Sequence, residues 1–227
     1  MKKLLFGAIF LSILTISCSK EGDDDEGTTS QVYLHSTSGS TWNYRTVDNA
    51  GPGTPATNYT LTSTSRDTSI NGKNYHVYTN SATGESEYNG RVNNDYYLFQ
   101  ALPDELGGSN IENIYLKAAA SANASWTQSY PITAMGFPIT VKIINTIVEK
   151  GMSKTVNGTA YADVIRVKTD ISITGLPPGT ITLTTDINQY YAPKVGMIET
   201  SSKIDVNILG TAQSTNETTT LQSATLL

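Results

Sequence analysis

From about Thr41 onward the apolar residues recur at every second position. Ile139, Val141 and Ile143 alternate with Thr140 and Lys142. Ile165, Val167, Ile171 and Ile173 fall on one side of their segment, and Arg166, Lys168, Asp170 and Ser172 on the other. Ile204, Val206 and Ile208 are separated by Asp205 and Asn207. A period of two is that of a strand with one buried and one wet face. The alternation slips at Ile143-Ile144 and at Ile147-Val148, where β-bulges are expected. Shorter segments follow the same rule: Thr41 to Val47 with Trp42 and Tyr44 on one side, Tyr59 to Thr64, Tyr75 to Tyr78, Asp95 to Phe99 and Ile114 to Leu116. Val32-Tyr33-Leu34 is a short candidate first strand. Thr218 to Leu227 can close the sheet as a final one.

Turn chemistry punctuates these segments. Asn71-Gly72, Asn89-Gly90 and Asn157-Gly158 each predict a two-residue hairpin, because both residue types accept the positive φ of a type I′ turn. Asp48 to Pro55 and Leu176-Pro177-Pro178-Gly179 break the pattern as loops. Leu102 to Asn113 reads as irregular. Lys117 to Ala124 allows a helical turn but lacks an apolar stripe. The expected fold is all-β: an antiparallel meander of about ten or more strands curled into an open barrel, with a two-sheet sandwich as the alternative. Residues 31–227 suffice for one such domain with its own core. Trp42 and Trp126 precede Asn71-Gly72 and Asn157-Gly158 at nearly equal distances, and a Tyr-Tyr pair follows each. Two diverged halves, about 39–100 and 123–200, would produce this.

The N-terminal pattern is different. Lys2 and Lys3 precede an apolar run, Leu4 to Ile16, whose thirteen residues at roughly 1.5 Å each fall short of a hydrocarbon core of about 30 Å. Residues 1–17 therefore read as a signal peptide and not as a membrane span. Ser17-Cys18 ends the run, and this arrangement resembles the lipobox of bacterial lipoproteins. The resemblance implies acylation of Cys18 and cleavage before it. Two acyl chains are enough for stable anchoring. Residues 18–30 then form an acidic tether. Ser19, Lys20, Glu21, Asp23, Asp24 and Asp25 resemble the export signal of surface lipoproteins in Bacteroidota, which implies display on the outer face of the outer membrane, with the periplasmic face as the alternative. Asp23 to Asp25 are consecutive and lack the alternate spacing of a calcium loop.

The segments Gly39-Ser40-Thr41-Trp42-Asn43-Tyr44 and Tyr190-Tyr191-Ala192-Pro193-Lys194-Val195-Gly196-Met197-Ile198 extend this likeness. They resemble a G-x-x-W-x-Y opening and a Y-A-P-x-V-G-x-I closing found in uncharacterised Bacteroidota lipoproteins. The resemblance implies a shared β fold and carries no activity.

Composition narrows the chemistry. Cys18 is the one cysteine, so an intrachain disulfide and a multi-thiol metal site are excluded. The net charge is −5, with most of the acidic excess in the tether and no basic stripe, which argues against nucleic acid as a partner. The two histidines are His35, near the tether, and His76, in a strand segment that predicts an exposed or hydrogen-bonded strand histidine. Glu85 and Glu87 would share a strand face but read as solvated beside a turn. Asp104-Glu105 lies in a loop. No nucleophile elbow, zinc-protease or phosphate-loop motif occurs. No cofactor or metal is expected, and an enzyme is the least favoured class.

Tyrosine is the remaining signal, with 13 Tyr against 4 Phe. In Tyr96-Tyr97 and Tyr190-Tyr191 one ring should face in and its neighbour out. Outward rings could stack on a sugar or a partner protein. The sequence thus predicts a non-catalytic surface binding module for an extracellular ligand such as glycan, using Tyr96, Tyr97, Trp126, Tyr190 and Tyr191. A structural or accessory outer-membrane lipoprotein, bound to another outer-membrane protein, is the alternative.

Overall fold

The computed structural model describes residues 31–49, 51, 55–101, 109–134 and 136–227. Cys18 and the tether residues Ser19, Lys20, Glu21, Asp23, Asp24 and Asp25 lie outside the described residues, as do Asp104 and Glu105.

The described chain holds twelve strands and no helix: β1 (Thr41–Asp48), β2 (Thr57–Ile70), β3 (Lys73–Asn80), β4 (Ser86–Val92), β5 (Asp95–Ala101), β6 (Asn110–Lys117), β7 (Ser125–Ala134), β8 (Phe137–Val156), β9 (Thr159–Thr174), β10 (Ile181–Ala192), β11 (Gly196–Ile208) and β12 (Thr211–Thr225). They form one antiparallel sheet, ordered β6-β5-β4-β3-β2-β1-β12-β11-β10-β9-β8-β7. Each strand pairs with its sequence neighbour except across β6 and β7. The first and last strands pair with each other, Tyr44 opposite Leu221. The sheet curls into a nearly closed barrel with an unsealed seam between β6 and β7, as the meander of local hairpins predicts.

Side chains bridge that seam. The Ile114 amide donates to Gln128 Oε1 (2.6 Å), and Gln128 Nε2 donates to the Glu112 carbonyl (3.0 Å). The Tyr130 hydroxyl also donates to Glu112 O (2.6 Å). The Ile114 carbonyl accepts from Trp126 Nε1 (2.7 Å) and Asn145 Nδ2 (3.0 Å). Asn145 is itself buried and fixed by Thr169 Oγ1 (2.6 Å). The open edge of β6 is thereby satisfied without a ladder.

Residues 31–38 form no strand, which corrects the expectation for Val32-Tyr33-Leu34. Their backbone groups bond elsewhere. The Tyr33 amide donates to the Tyr96 hydroxyl (2.9 Å), the Val32 carbonyl accepts from the Lys194 amide (2.6 Å), and the His35 carbonyl accepts from Tyr78 Oη (2.6 Å). The Tyr33 hydroxyl donates to the Asp163 carbonyl (3.1 Å). This strap joins β3 and β5 to β9 and to the β10–β11 turn, tying the two halves of the sheet together at one end.

The alternation sorts the faces as predicted. Ile139, Val141, Ile143, Ile147, Ile165 and Val167 are buried in the interior. Outside, Lys168 pairs with Asp170 at 2.9 Å and Lys203 with Asp205 at 3.7 Å. A barrel spanning a membrane would show the reverse, an apolar belt outside. The predicted bulge after Ile147 is present; the one at Ile143-Ile144 is not, and the register there runs unbroken. Asn110 to Asn113 are strand, where irregular structure was expected, and Lys117 to Ala124 contain turns and no helix.

Two of the three Asn-Gly pairs are hairpin turns, with φ of 51° and 77° at Asn71-Gly72 and 47° and 79° at Asn157-Gly158. Asn89-Gly90 is not: it lies inside β4, and the turn falls at Asn93-Asn94. Gly90 serves a different constraint. A Cβ there would stand 2.9 Å from the Asn74 carbonyl and 3.1 Å from the Tyr75 ring, whereas one at Gly158 meets nothing within 4 Å. Gly158→Ala should therefore cost only the left-handed backbone penalty, about 1 kcal/mol. Gly90→Ala must displace Tyr75 and should cost more, about 1–3 kcal/mol. Urea unfolding of both variants checks this; a Gly90→Ala midpoint equal to wild type would contradict the packing described.

Candidate functional site

The barrel interior is not completely filled. A cavity of about 340 Å³ lies inside the sheet. Seven aromatic rings line it: Tyr33, Trp42, Tyr44, Tyr59, Tyr78, Tyr115 and Tyr191. Strand alternation puts them there. Trp42 and Tyr44 sit opposite Leu61 and Tyr59, and Ser63 opposite Tyr78. The Tyr44 and Tyr59 rings stack at 5.2 Å, and Tyr115 meets Tyr191 at 5.4 Å. The strap closes the cavity at one end through Tyr33, Leu34 and His35.

The opposite part of the lining is polar. Glu87 and Asn89 of β4, Gln100 of β5 and Asn113 of β6 all line the cavity, on three successive strands. Glu87 Oε1 accepts from Asn80 Nδ2 at 2.7 Å. Asn113 Oδ1 is buried and has no hydrogen-bond donor among the described residues. The sequence reading of Glu85 and Glu87 as a solvated pair is corrected here. β4 begins at Ser86, so Glu85 lies outside it and is exposed, while Glu87 takes an inward position.

Burial keeps the phenols neutral. It pushes Tyr33 up to about 12, with Asp163 and then Tyr96 as lesser causes. It pushes Tyr59 up to about 12, with the Glu87 carboxylate second. Tyr44, Tyr78, Tyr115 and Tyr191 are raised further, burial again first.

The five rings predicted as ligand contacts fall in different places. Tyr191 alone lines the cavity. Tyr96 is 0% exposed, its hydroxyl holding the strap. Trp126 is half-buried at the seam. Tyr97 does face outward, yet it is only 9% exposed. Lys73 Nζ lies 4.4 Å from the centre of its ring and is paired with Glu112, which also accepts from the Tyr75 hydroxyl. Tyr190 is covered the same way: Lys154 Nζ is 3.8 Å from its ring centre and 2.9 Å from Glu199. The expectation of an exposed outward ring in the Tyr96-Tyr97 pair is thus corrected, because an internal ammonium occupies the face a sugar would need. Nor do the pairs share equivalent strands: they fall on the fifth strand of the first six and the fourth of the last six, each at a register shift.

His76 sits between two partners. Its Nε2 is 2.8 Å from Ser63 Oγ and its Nδ1 is 2.6 Å from Asp67 Oδ1. The connectivity is that of a Ser-His-Asp triad, but the surroundings are not. Ser63 is 1% exposed and is not among the cavity-lining residues, and its amide and carbonyl are bonded to Ser40 O and Gly39 N. A substrate carbonyl has no approach to Ser63 Oγ. The arrangement ties β2 to β3 where their register shifts between Ser63 and Asp67, in accord with the hydrogen-bonded strand histidine expected from sequence.

Comparison with protein-family models finds no match, and comparison with curated proteins finds none either. Solved structures do show a likeness. A candidate lipoprotein from Parabacteroides distasonis superimposes with a TM-score of 0.52 at 16% identity, covering 86% of this chain and 99% of that one. A candidate exported protein with a YmcC-like fold from Bacteroides fragilis gives 0.45 at 10% identity, with the same coverage. The first likeness is one of fold, and at this identity no site residue transfers from it.

The buried phenols make the protein sensitive to alkali. An unfolded tyrosine ionises near 10, while Tyr33 and Tyr59 hold their protons to about 12. Above pH 10 the unfolded chain therefore binds fewer protons than the native one, and stability falls as pH rises. The contribution of these rings is full below pH 10 and lost between 10 and 12. Phenolate absorbance of the buried rings should appear together with loss of the β-sheet circular dichroism signal. Stability constant from pH 9 to 12 would contradict the burial described.

Proposed function

We propose that this chain is a lipid-anchored outer-membrane protein, displayed on the cell surface through Cys18 and its acidic tether, that binds a small extracellular ligand inside its barrel. The observation that carries the binding reading is the interior cavity, walled by aromatic rings and ending in a set of polar groups on β4 to β6. Such a combination of apolar wall and few converging polar groups suits a small-molecule site. The ligand surface thus moves from the outer tyrosines to the interior, and of the rings named from sequence Tyr191 is retained. A sugar remains within the range of ligands, since its apolar faces suit aromatic rings and its hydroxyls suit the amides.

Anchoring rests on the lipobox-like Ser17-Cys18 and agrees with the description of the Parabacteroides distasonis protein as a candidate lipoprotein. The strap begins at Gln31, beside Asp163 and Lys194, so the tether joins the barrel at its strapped end. The polar lining lies toward the other end, where β5 leads into β6 (β5 ends at Ala101). A tether on that side turns the polar part of the cavity away from the membrane.

Filling the cavity tests the reading. Leu61→Trp places an indole among the lining rings without touching the outer face. Compounds that raise the melting temperature of wild type in a fragment and monosaccharide screen should have no effect on Leu61→Trp, while Tyr97→Ala keeps them. Hits that survive Leu61→Trp, or no hits at all, would leave the accessory role. Cys18→Ser should move the protein from the membrane to the soluble fraction.

A further inference from the structure

We infer that the ligand of this cavity is an organic ammonium compound, read by the Glu87 carboxylate and the Tyr44 and Tyr59 rings. The inference rests on the binding reading above and adds the charge of the ligand to it.

The protein supplies its own template. Twice on its outer face an ammonium is held between a tyrosine ring and a glutamate: Lys73 on Tyr97 with Glu112, and Lys154 on Tyr190 with Glu199. In the cavity the same two components recur without the lysine. Among the described residues that line the cavity Glu87 is the one carboxylate, and none is a lysine or arginine. None of the ion pairs among the described residues includes Glu87. Its neighbours are electron-rich. Tyr44 and Tyr59 stack on each other, and both feel the Glu87 charge. A cation over such a ring is attracted by its quadrupole, the more so where water is excluded.

The hydrogen-bond inventory points the same way. Asn80 donates to Glu87 Oε1, which leaves Glu87 Oε2 as an acceptor. Asn113 Oδ1 is a buried acceptor whose donor is not found among the described side chains. Both acceptors lie on the inner face of β4 to β6. An ammonium brings N–H donors and a positive charge, and meets the demand of Glu87 Oε2. An anionic ligand would face a carboxylate with no compensating cation. A neutral ligand would leave Glu87 without a counter-charge.

The test pairs an ammonium with its neutral isostere: 2-phenylethylamine with 2-phenylethanol, and glucosamine with glucose, by calorimetry on the full chain at neutral pH. The ammonium member of at least one pair should bind about tenfold or more tightly than its isostere, and added salt should shrink the difference. Glu87→Gln should bring the ammonium's affinity down to that of its isostere in the same variant, with circular dichroism showing a folded protein. The preference is read on wild type alone, so the inference stands or falls even if that variant does not fold. Equal affinity within each pair, abolished by Leu61→Trp, would overturn the ammonium inference and keep the cavity as the site. No binding of any of the four probes would overturn both.

Discussion

An antiparallel sheet that curls toward closure must do something with its last two edges. In this barrel the edges are β6 and β7, and everything inside depends on how they meet. They do not pair backbone to backbone. Gln128, Tyr130, Trp126 and Asn145 reach across and satisfy the Glu112 and Ile114 groups of β6. Each such bond contributes only about 1 kcal/mol net, but each group left bare in the interior would cost about 1–3 kcal/mol. The seam also prevents an open β6 edge from recruiting a strand of another chain. Asn145 links it to the body of the barrel, because Thr169 on β9 donates to its side chain.

Closure and the strap together create the interior. Residues 31–38 give up a ladder of their own and tie β3 and β5 to β9 and the β10–β11 turn. Tyr96 is used here as a hydrogen-bond acceptor within the core. The outer tyrosines are used differently again, as seats for Lys73 and Lys154. One residue type thus serves as wall, brace and cation seat, depending on the face its strand position gives it. What remains for a ligand is the inner wall and the polar groups beside it, of which Glu87 forms no ion pair among the described residues.

The period of two made the all-β class, the antiparallel meander and the inward isoleucines legible. The Asn-Gly signal was right at Asn71 and Asn157, where both residues turn left-handed. It failed at Asn89-Gly90, because a glycine in a strand can equally mark a close approach, here by Tyr75. The site was less legible. Alternation predicted that one ring of each Tyr pair points out, and Tyr97 and Tyr190 do. It says nothing of a lysine two strands away, on β3 or β8, covering the ring. Glu87 was misread because the Asn89-Gly90 signal puts a turn beside it, whereas the turn falls at Asn93-Asn94 and Glu87 lies within β4. The seam was invisible for a general reason: side-chain bonds to a distant strand edge leave no periodicity.

The most direct test of this architecture is amide hydrogen exchange at Ile114. This amide has no backbone acceptor across the seam, only Gln128 Oε1. If the side-chain seam holds the barrel closed, Ile114 should exchange as slowly as the ladder amides between β5 and β6, through global unfolding alone. If Ile114 exchanges as fast as the exposed Asn93 while the β5–β6 ladder stays protected, the seam is open in solution. The interior cavity, and the site built in it, would then be contradicted.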